Sequence, residues 1–195
     1  MAFIELIPEQ AASGEVAELY EGERERLGSL PNFVKAFAER PGAYQAWRQL
    51  IGEIQSTMDT RRYELVTLAA ARRLRSSYCS LAHGKMLVDH FMDAETLRGV
   101  ATEPVRAGLD ELDLAVMELA TKIVDDATSV TEGDIERLRS LGLSDADIVD
   151  VVLAVAARCF FSKTLDALGV DPDGAYRELD PAMRDELVVG RPIES

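Results

Sequence analysis

Apolar side chains recur along most of the chain at the spacing of an amphipathic helix, and strand-like patterns are scarce. The segment 43–58 is an example. Its apolar stripe is formed by Tyr44, Trp47, Leu50, Ile51 and Ile54. Because residues three and four positions apart lie on the same face of a helix, this spacing gives the segment one side to bury. The pattern predicts an all-α protein.

Helix breakers and capping residues divide this pattern into separate segments. Asp93, Thr131 and Ser144 stand where N-caps are expected, and Asp134 has the capping-box position for Thr131. One or two more helical turns are expected after Pro172, and residues 187–195 are expected to be irregular. The predicted helices cover residues 15–26, 31–37, 43–58, 62–74, 76–91, 93–100, 110–127, 131–141 and 145–168.

Two of these helices are far more apolar than the others. The helix 62–74 is nearly apolar down to Ala71, which predicts a buried, central position. The helix 145–168 is apolar on almost all sides in its middle part. It is therefore expected to be buried within the domain or against another subunit.

Composition supports one soluble domain and excludes several classes of partner. The chain has 195 residues, of which 47% are hydrophobic and 29% charged, so residues 1–195 are interpreted as a single helical domain. The net charge of −14 disfavours nucleic acids and anionic membrane surfaces, because both require a basic face. No apolar run approaches the roughly 18 residues of a membrane span.

The cysteines indicate a reducing compartment. Cys79 and Cys159 are too few and too far apart in sequence for a disulfide framework, and the N-terminal residues lack the pattern of an export signal. Reduced thiols and a cytoplasmic location are therefore expected. Cys159 stands in an apolar context and is interpreted as core packing.

The candidate chemistry lies in residues 62–91. Cys79 and His83 are four residues apart, in a helix expected to begin at Ser76 or Ser77. Cys79 then lies in the first turn, and His83 lies one turn further along the same face. The helix N-terminus, its free N–H groups and an imidazolium one turn away would all favour a thiolate. We therefore treat Cys79 as the candidate reactive atom.

Three more residues join this group. Glu64 lies near the start of an apolar helix, where a buried carboxylate needs a partner, and it could accept a hydrogen bond from His83. That bond would orient the imidazole as a base or proton shuttle. Tyr78 could pack or offer its phenol to the site. Ser76 could cap the helix or donate a hydrogen bond to the thiolate. Because position 76 is a serine, the motif is Ser-x-x-Cys and contains no second thiol.

Less reactive interpretations of the same residues stay open. A Cys in an apolar helix is often a small buried hydrophobe, and Glu64 could be exposed at its helix start. Cys79, His83 and Glu64 are possible metal ligands, but this mixed set lacks another Cys or His and makes a weak zinc site. No metal and no cofactor are predicted. His90 is expected at the surface or its boundary, and Lys85 in solvent.

At these residues the sequence resembles the alkylhydroperoxidase D and carboxymuconolactone decarboxylase superfamily, and more closely its peroxidase-related branch. The signature is Glu64 followed by the segment 76–83, S-S-Y-C-S-L-A-H. The resemblance extends through most of the chain. It includes L-P-N-F-V-K-A-F-A-E-R-P-G-A-Y-Q-A-W, S-V-T-E-G-D-I-E-R-L-R-S-L-G-L-S-D-A-D-I and F-F-S-K-T-L-D-A-L-G-V.

The resemblance implies an all-helical bundle that assembles as a homo-oligomer. It also implies that Cys79 is the reactive thiol and that His83 and Glu64 relay protons. Tyr78 would take the place of a second relay histidine in some members. Ser76 replaces the resolving Cys of the family's Cys-x-x-Cys motif, so the intramolecular disulfide cycle is not expected.

These observations lead to a thiol-dependent, one-Cys peroxidase that reduces hydroperoxides through Cys79 and is regenerated by an external thiol. A first alternative is an acid–base lyase or decarboxylase that uses His83 and Glu64 on a small carboxylated lactone. Its substrate anion could be bound by Arg72, Arg73 or Arg75. A second alternative is a non-enzymatic helical oligomer in which Cys79 is a redox sensor or inert. Cys159 could act as resolving thiol only if it lies close in space.

Overall fold

The chain folds into a bundle of α-helices. The computed structural model describes residues 2–194, and none of these residues lies in a β-strand. This confirms the all-α prediction. The helices are α1 (Glu15–Leu27), α2 (Asn32–Phe37), α3 (Pro41–Thr57), α4 (Thr60–Arg73), α5 (Ser77–His90), α6 (Ala94–Thr102), α7 (Glu111–Asp126), α8 (Glu132–Ser140), α9 (Asp145–Ala167) and α10 (Pro181–Leu187).

The predicted N-caps are confirmed. The Asp93 carboxylate accepts a hydrogen bond of 2.7 Å from the backbone N–H of Thr96 in α6. Thr131 and Ser144 begin capping boxes at α8 and α9. Two helices start earlier than predicted. Pro41 is the first residue of α3 because its fixed φ suits that position, and the Asp59 side chain caps α4 at Thr60.

Helix α4 is the centre of the bundle, as its apolar sequence predicts. Every residue from Tyr63 to Ala71 is buried. The helix packs against α5, α7 and α9. This position places Glu64 in the interior, beside the N-terminal half of α5. The carboxylate is therefore not exposed at a helix start.

Helix α9 buries only part of its apolar surface within this chain. Val151, Val155 and Phe161 are buried, whereas Val149 is 54% exposed and Phe160 is 47% exposed. Val152 and Leu153 are exposed on the same side as Val149. Burial of this outer stripe against another subunit stays a prediction.

The C-terminal segment covers the sharp connection between α4 and α5. A 3₁₀ turn at Gly174–Glu178 and helix α10 confirm the helical turns expected after Pro172. Beyond α10 the described residues up to 194 are irregular, as expected, whereas Ser195 and Met1 lie outside the described residues. None of the helices in the described part of the chain has the length and apolar character of a membrane span.

Gly190 is the point where this segment touches the start of α5. Its N–H donates to Ser77 Oγ over 2.8 Å. A Cβ atom at this position would overlap the carbonyl oxygen of Arg75, which is backbone and cannot swing away. Arg75 itself has a left-handed φ of 59°, so the connection has little freedom to relax.

We expect Gly190→Ala to lower the free energy of unfolding by about 1–3 kcal/mol, because the overlap forces the backbone apart. Chemical denaturation monitored by circular dichroism measures this change. Gly22→Ala is the matched control, since its Cβ would meet open space in α1. There alanine should add up to about 1 kcal/mol of stability. Equal effects at the two glycines would contradict the expected clash.

Candidate active site

Cys79 lies in the first turn of α5, as predicted, with its side chain directed into the protein. The residue is 2% exposed and belongs to an apolar cluster that includes residues of helices α1 to α5 and α9. The same sulfur-bearing residue lines a cavity of about 390 Å³, to which Glu64, His83 and Arg158 also contribute. The buried thiol therefore faces a space that a small molecule could enter.

The predicted hydrogen bond between His83 and Glu64 is present. His83 Nδ1 and Glu64 Oε2 are 2.6 Å apart, and both side chains are buried. Because a carboxylate accepts, Nδ1 carries the proton, and Nε2 of a neutral imidazole is left as an acceptor. Burial lowers the pKa of His83, the nearby Arg158 charge lowers it further, and Glu64 only partly opposes them. His83 is thus a neutral base at pH 7.

Arg158 is the residue that the sequence interpretation missed. It extends from α9 into the interior, is 4% exposed, and its Nη1 donates a hydrogen bond of 3.4 Å to Cys79 Sγ. Burial alone would lower the pKa of Arg158, but the facing Cys79 and Tyr63 raise it, so the guanidinium stays charged. A single arginine within an apolar helix was the signal that could have revealed it.

The structure therefore changes one of the positive groups that were expected beside the sulfur. The positive charge next to the sulfur is the guanidinium of Arg158, whereas His83 is neutral and its protonated form is disfavoured. Arg158 and the N-terminus of α5 are thus the two positive groups beside the Cys79 sulfur.

Ser76 takes no part in this arrangement. It stands at the N-cap of α5, but its side chain makes no capping hydrogen bond. Its hydroxyl is buried and interacts with the Asp166 carboxylate rather than with the sulfur. Both roles expected for Ser76 are therefore wrong. The cause is the backbone, because the sharp connection after Arg75 directs this side chain into the interior.

Tyr78 lines the cavity with its ring but engages its hydroxyl elsewhere. The hydroxyl donates to Asp173 and accepts a bond of 3.3 Å from the backbone N–H of Phe33. Burial raises the pKa of Tyr78 well above its usual value, and Asp173 adds to this effect. Tyr78 therefore packs and ties the C-terminal segment to α5, and a role as proton relay stays a prediction.

Comparison with known proteins gives matches in structure but not in sequence. No protein-family model and no curated protein matches the chain. An uncharacterized peroxidase-related protein from Ralstonia eutropha JMP134, described as an alkylhydroperoxidase AhpD core, superposes with a TM-score of 0.80 at 20% identity, over 90% of this chain and 94% of that one. A peroxidase-related protein from Silicibacter sp. TM1040 gives 0.76 at 21% identity, over 90% and 91%. This chain has the alkylhydroperoxidase D-like fold.

The alkylhydroperoxidase D-like fold also occurs in an enzyme of another activity. The debrominase Bmp8, as a Cys-to-Ala variant in complex with 2,3,4-tribromopyrrole, superposes with a TM-score of 0.76 at 14% identity. The match covers 96% of this chain and 100% of the debrominase. The fold is thus shared by proteins that differ in reaction, and the choice of reaction must come from the site.

The three arginines of the lyase alternative lie in a different place. Arg72, Arg73 and Arg75 line a larger cavity of about 680 Å³, whose walls come from α4, α6 and α7. Neither Glu64 nor His83 lines that cavity. The expectation that these arginines bind an anion beside the acid–base pair is therefore wrong. Their side chains are engaged outside the Cys79 cavity: Arg72 donates to the Glu186 carbonyl oxygen and Arg73 pairs with Asp125.

Cys159 packs differently from its neighbour Arg158. It is half-buried against the main hydrophobic core and does not line the cavity of Cys79, which supports its interpretation as a packing residue. Burial raises the pKa of Cys159, so at neutral pH this residue is a thiol and not the more reactive thiolate. Among residues 2–194 there is also no cluster of three metal-ligating side chains. His90 and Lys85 are exposed, as expected.

The lowered pKa of His83 has a consequence for stability. Below the ordinary value of 6.5 the unfolded chain binds a proton at this residue while the folded chain does not. Folding stability should therefore fall as the pH drops below about 6.5, by at most about 1.4 kcal/mol per pH unit, until the lowered pKa is reached.

We expect His83→Gln to reduce this loss, because glutamine can donate to Glu64 but does not titrate. Urea unfolding at several pH values between about 5 and 8 measures the slope of stability against pH. His90→Gln is the control, since that histidine is exposed. A wild-type slope in His83→Gln, or a flattened slope in His90→Gln, would show that His83 is not the responsible group.

Proposed function

We propose that the protein is a thiol-dependent, one-Cys peroxidase that reduces hydroperoxides at Cys79. The observation that carries this proposal is the hydrogen bond from the buried Arg158 guanidinium to Cys79 Sγ. A cation in this position stabilises the nucleophilic thiolate and can also polarise a peroxide oxygen. The neutral His83, oriented by Glu64, supplies the accompanying acid–base function.

Cys79, His83 and the hydroperoxide together account for all atoms and electrons of the oxidation step. The Cys79 thiolate attacks the distal oxygen of the hydroperoxide, the O–O bond breaks, and a Cys79 sulfenic acid forms. His83 Nε2 can carry the proton that the thiol loses. That proton is delivered to the departing alkoxide, which leaves as an alcohol. The sulfur is oxidised by two electrons and the hydroperoxide is reduced by the same two.

Regeneration needs a thiol from outside the cavity. Ser76 stands where a resolving Cys would be expected, and Cys159 does not line the cavity of Cys79. A first external thiol would condense with the sulfenic acid, releasing water and leaving a mixed disulfide. A second thiol would then release Cys79 by exchange. The external reductant, a homo-oligomeric state and a cytoplasmic location all stay predictions.

Mass spectrometry of the intact protein after hydroperoxide treatment tests the proposal. A dimedone adduct at Cys79 is expected when the trap is present, and a mixed disulfide when a small thiol replaces it. Cys159→Ser should give the same adducts. An unmodified Cys79 after exposure to hydroperoxide, or oxidation of Cys159 alone, would refute the peroxidase. Because the fold also carries a debrominase, a halogenated aromatic tested in parallel separates the two reactions.

A further inference from the structure

The outer end of the Cys79 cavity carries two arginines held by one buried carboxylate. Arg26 and Arg48 both line the cavity and are more than two-fifths exposed. Glu23 is 1% exposed, and its two oxygens lie 2.5 Å from Arg26 Nη2 and 2.5 Å from Arg48 Nη1. Tyr44 also donates to Glu23, over 3.1 Å. The guanidinium groups are thus fixed in place at the opening.

This arrangement leaves positive charge at the opening of an acidic protein. Two guanidinium charges face one carboxylate, so the group Arg26, Arg48 and Glu23 carries one net positive charge. The whole chain carries −14. Each exposed guanidinium keeps free N–H donors for a ligand.

The inner part of the cavity is aromatic. The Trp47 and Phe161 rings stack with centroids 4.2 Å apart, and Phe33 lies beside Phe161 at 5.5 Å. Further apolar walls come from Ile51 and Met86. The Trp47 indole N–H is buried and has no hydrogen-bond partner within the described chain. An unpaired donor of this kind is costly to bury, so it favours a bound ligand that carries an acceptor.

We infer that the substrate is an amphipathic organic hydroperoxide with an apolar body and a carboxylate, such as a fatty-acid hydroperoxide. The carboxylate would bind Arg26 and Arg48, and the apolar body would lie along Trp47 and Phe161 toward Cys79. The inference deepens the proposed function and rests on it for the reaction. The binding preference itself can be measured without any turnover.

Fluorescence of Trp47, the single tryptophan, reports occupancy of the cavity. We would titrate the Cys79→Ser protein with decanoate and, separately, with decyl alcohol, which differ in the carboxylate alone. Decanoate is expected to bind about tenfold more tightly, because charge-assisted bonds to guanidinium groups add to the same apolar burial. The preference should shrink as salt is added, since both arginines are partly exposed.

Single substitutions at the opening test the role of the arginines. Arg48→Gln and Arg26→Gln each bring the net charge of the group to zero, and the preference for decanoate should fall to about twofold. Arg48→Lys keeps the charge and should retain most of the preference. Arg24→Gln is the control, because Arg24 lies on the same helix but pairs with Glu9 outside this cavity. Glu23 keeps one partner in every variant.

Equal affinities for decanoate and decyl alcohol, or an undiminished preference in both glutamine variants, would overturn the inference. Kinetic measurements then separate the inferred anion site from the proposed peroxidase activity. In the wild type, the KM for a fatty-acid hydroperoxide should lie below that for neutral cumene hydroperoxide, and Arg48→Gln should narrow this ratio. If decanoate binds as expected but neither hydroperoxide is consumed, the peroxidase fails and the anion site stands.

Discussion

Replacing Cys79 by serine is expected to abolish hydroperoxide reduction, with a loss of roughly a thousandfold or more, down to the uncatalysed background. Serine has nearly the same shape but is not ionised beside Arg158, and an alcohol oxygen does not accept oxygen from a peroxide. The buried position tolerates the change in size, at a cost of about 1–2 kcal/mol for a buried hydroxyl. Colorimetric measurement of the remaining hydroperoxide, with a small thiol as reductant, checks the result.

The matched control for this experiment is Cys159→Ser. That thiol lies on the other side of α9 from the cavity and should leave the rate of hydroperoxide consumption unchanged. If Cys79→Ser keeps its activity, the reaction does not pass through the thiol. That result would favour the acid–base alternative with His83 and Glu64. If Cys159→Ser alone loses activity, the reactive cysteine has been misassigned.

Replacing Arg158 by methionine should lower the rate at which Cys79 reacts with hydroperoxide by about tenfold to a hundredfold. This range follows from losing one hydrogen bond to a charged group, worth about 1.5–3 kcal/mol. Methionine has a similar length and no charge, so the cavity keeps its shape while the thiolate loses its nearest cation. The rate of alkylation by iodoacetamide at pH 7 gives an independent measure of the same effect.

The stability of Arg158→Met distinguishes electrostatic activation from structural damage. Methionine removes the cost of burying the guanidinium, and the remaining partner is a cysteine that can stay uncharged, so the free energy of unfolding should stay within about 2 kcal/mol of the wild type. Arg158→Lys should recover part of the rate, because it restores a point charge without the guanidinium geometry. Unchanged alkylation in a folded Arg158→Met protein would show that the guanidinium does not activate the sulfur.

The local features of this protein were predictable from the sequence. Apolar periodicity and capping residues determine where the helices begin and end, since these depend on neighbours a few positions apart. The relation between Cys79 and His83 follows from helix geometry alone. The hydrogen bond from His83 to Glu64 was also foreseeable, because a carboxylate in an apolar helix needs a partner and the neighbouring sequence contains few polar groups.

Tertiary structure alone decided which groups from distant helices meet at the sulfur. Arg158 reaches Cys79 from a helix 79 positions away, whereas Arg72, Arg73 and Arg75, much closer in sequence, line another cavity. The sharp connection before α5 turned Ser76 into the interior, where it neither caps the helix nor bonds the sulfur. Helix periodicity specifies the face on which a side chain lies, but the packing of whole helices specifies what that face meets.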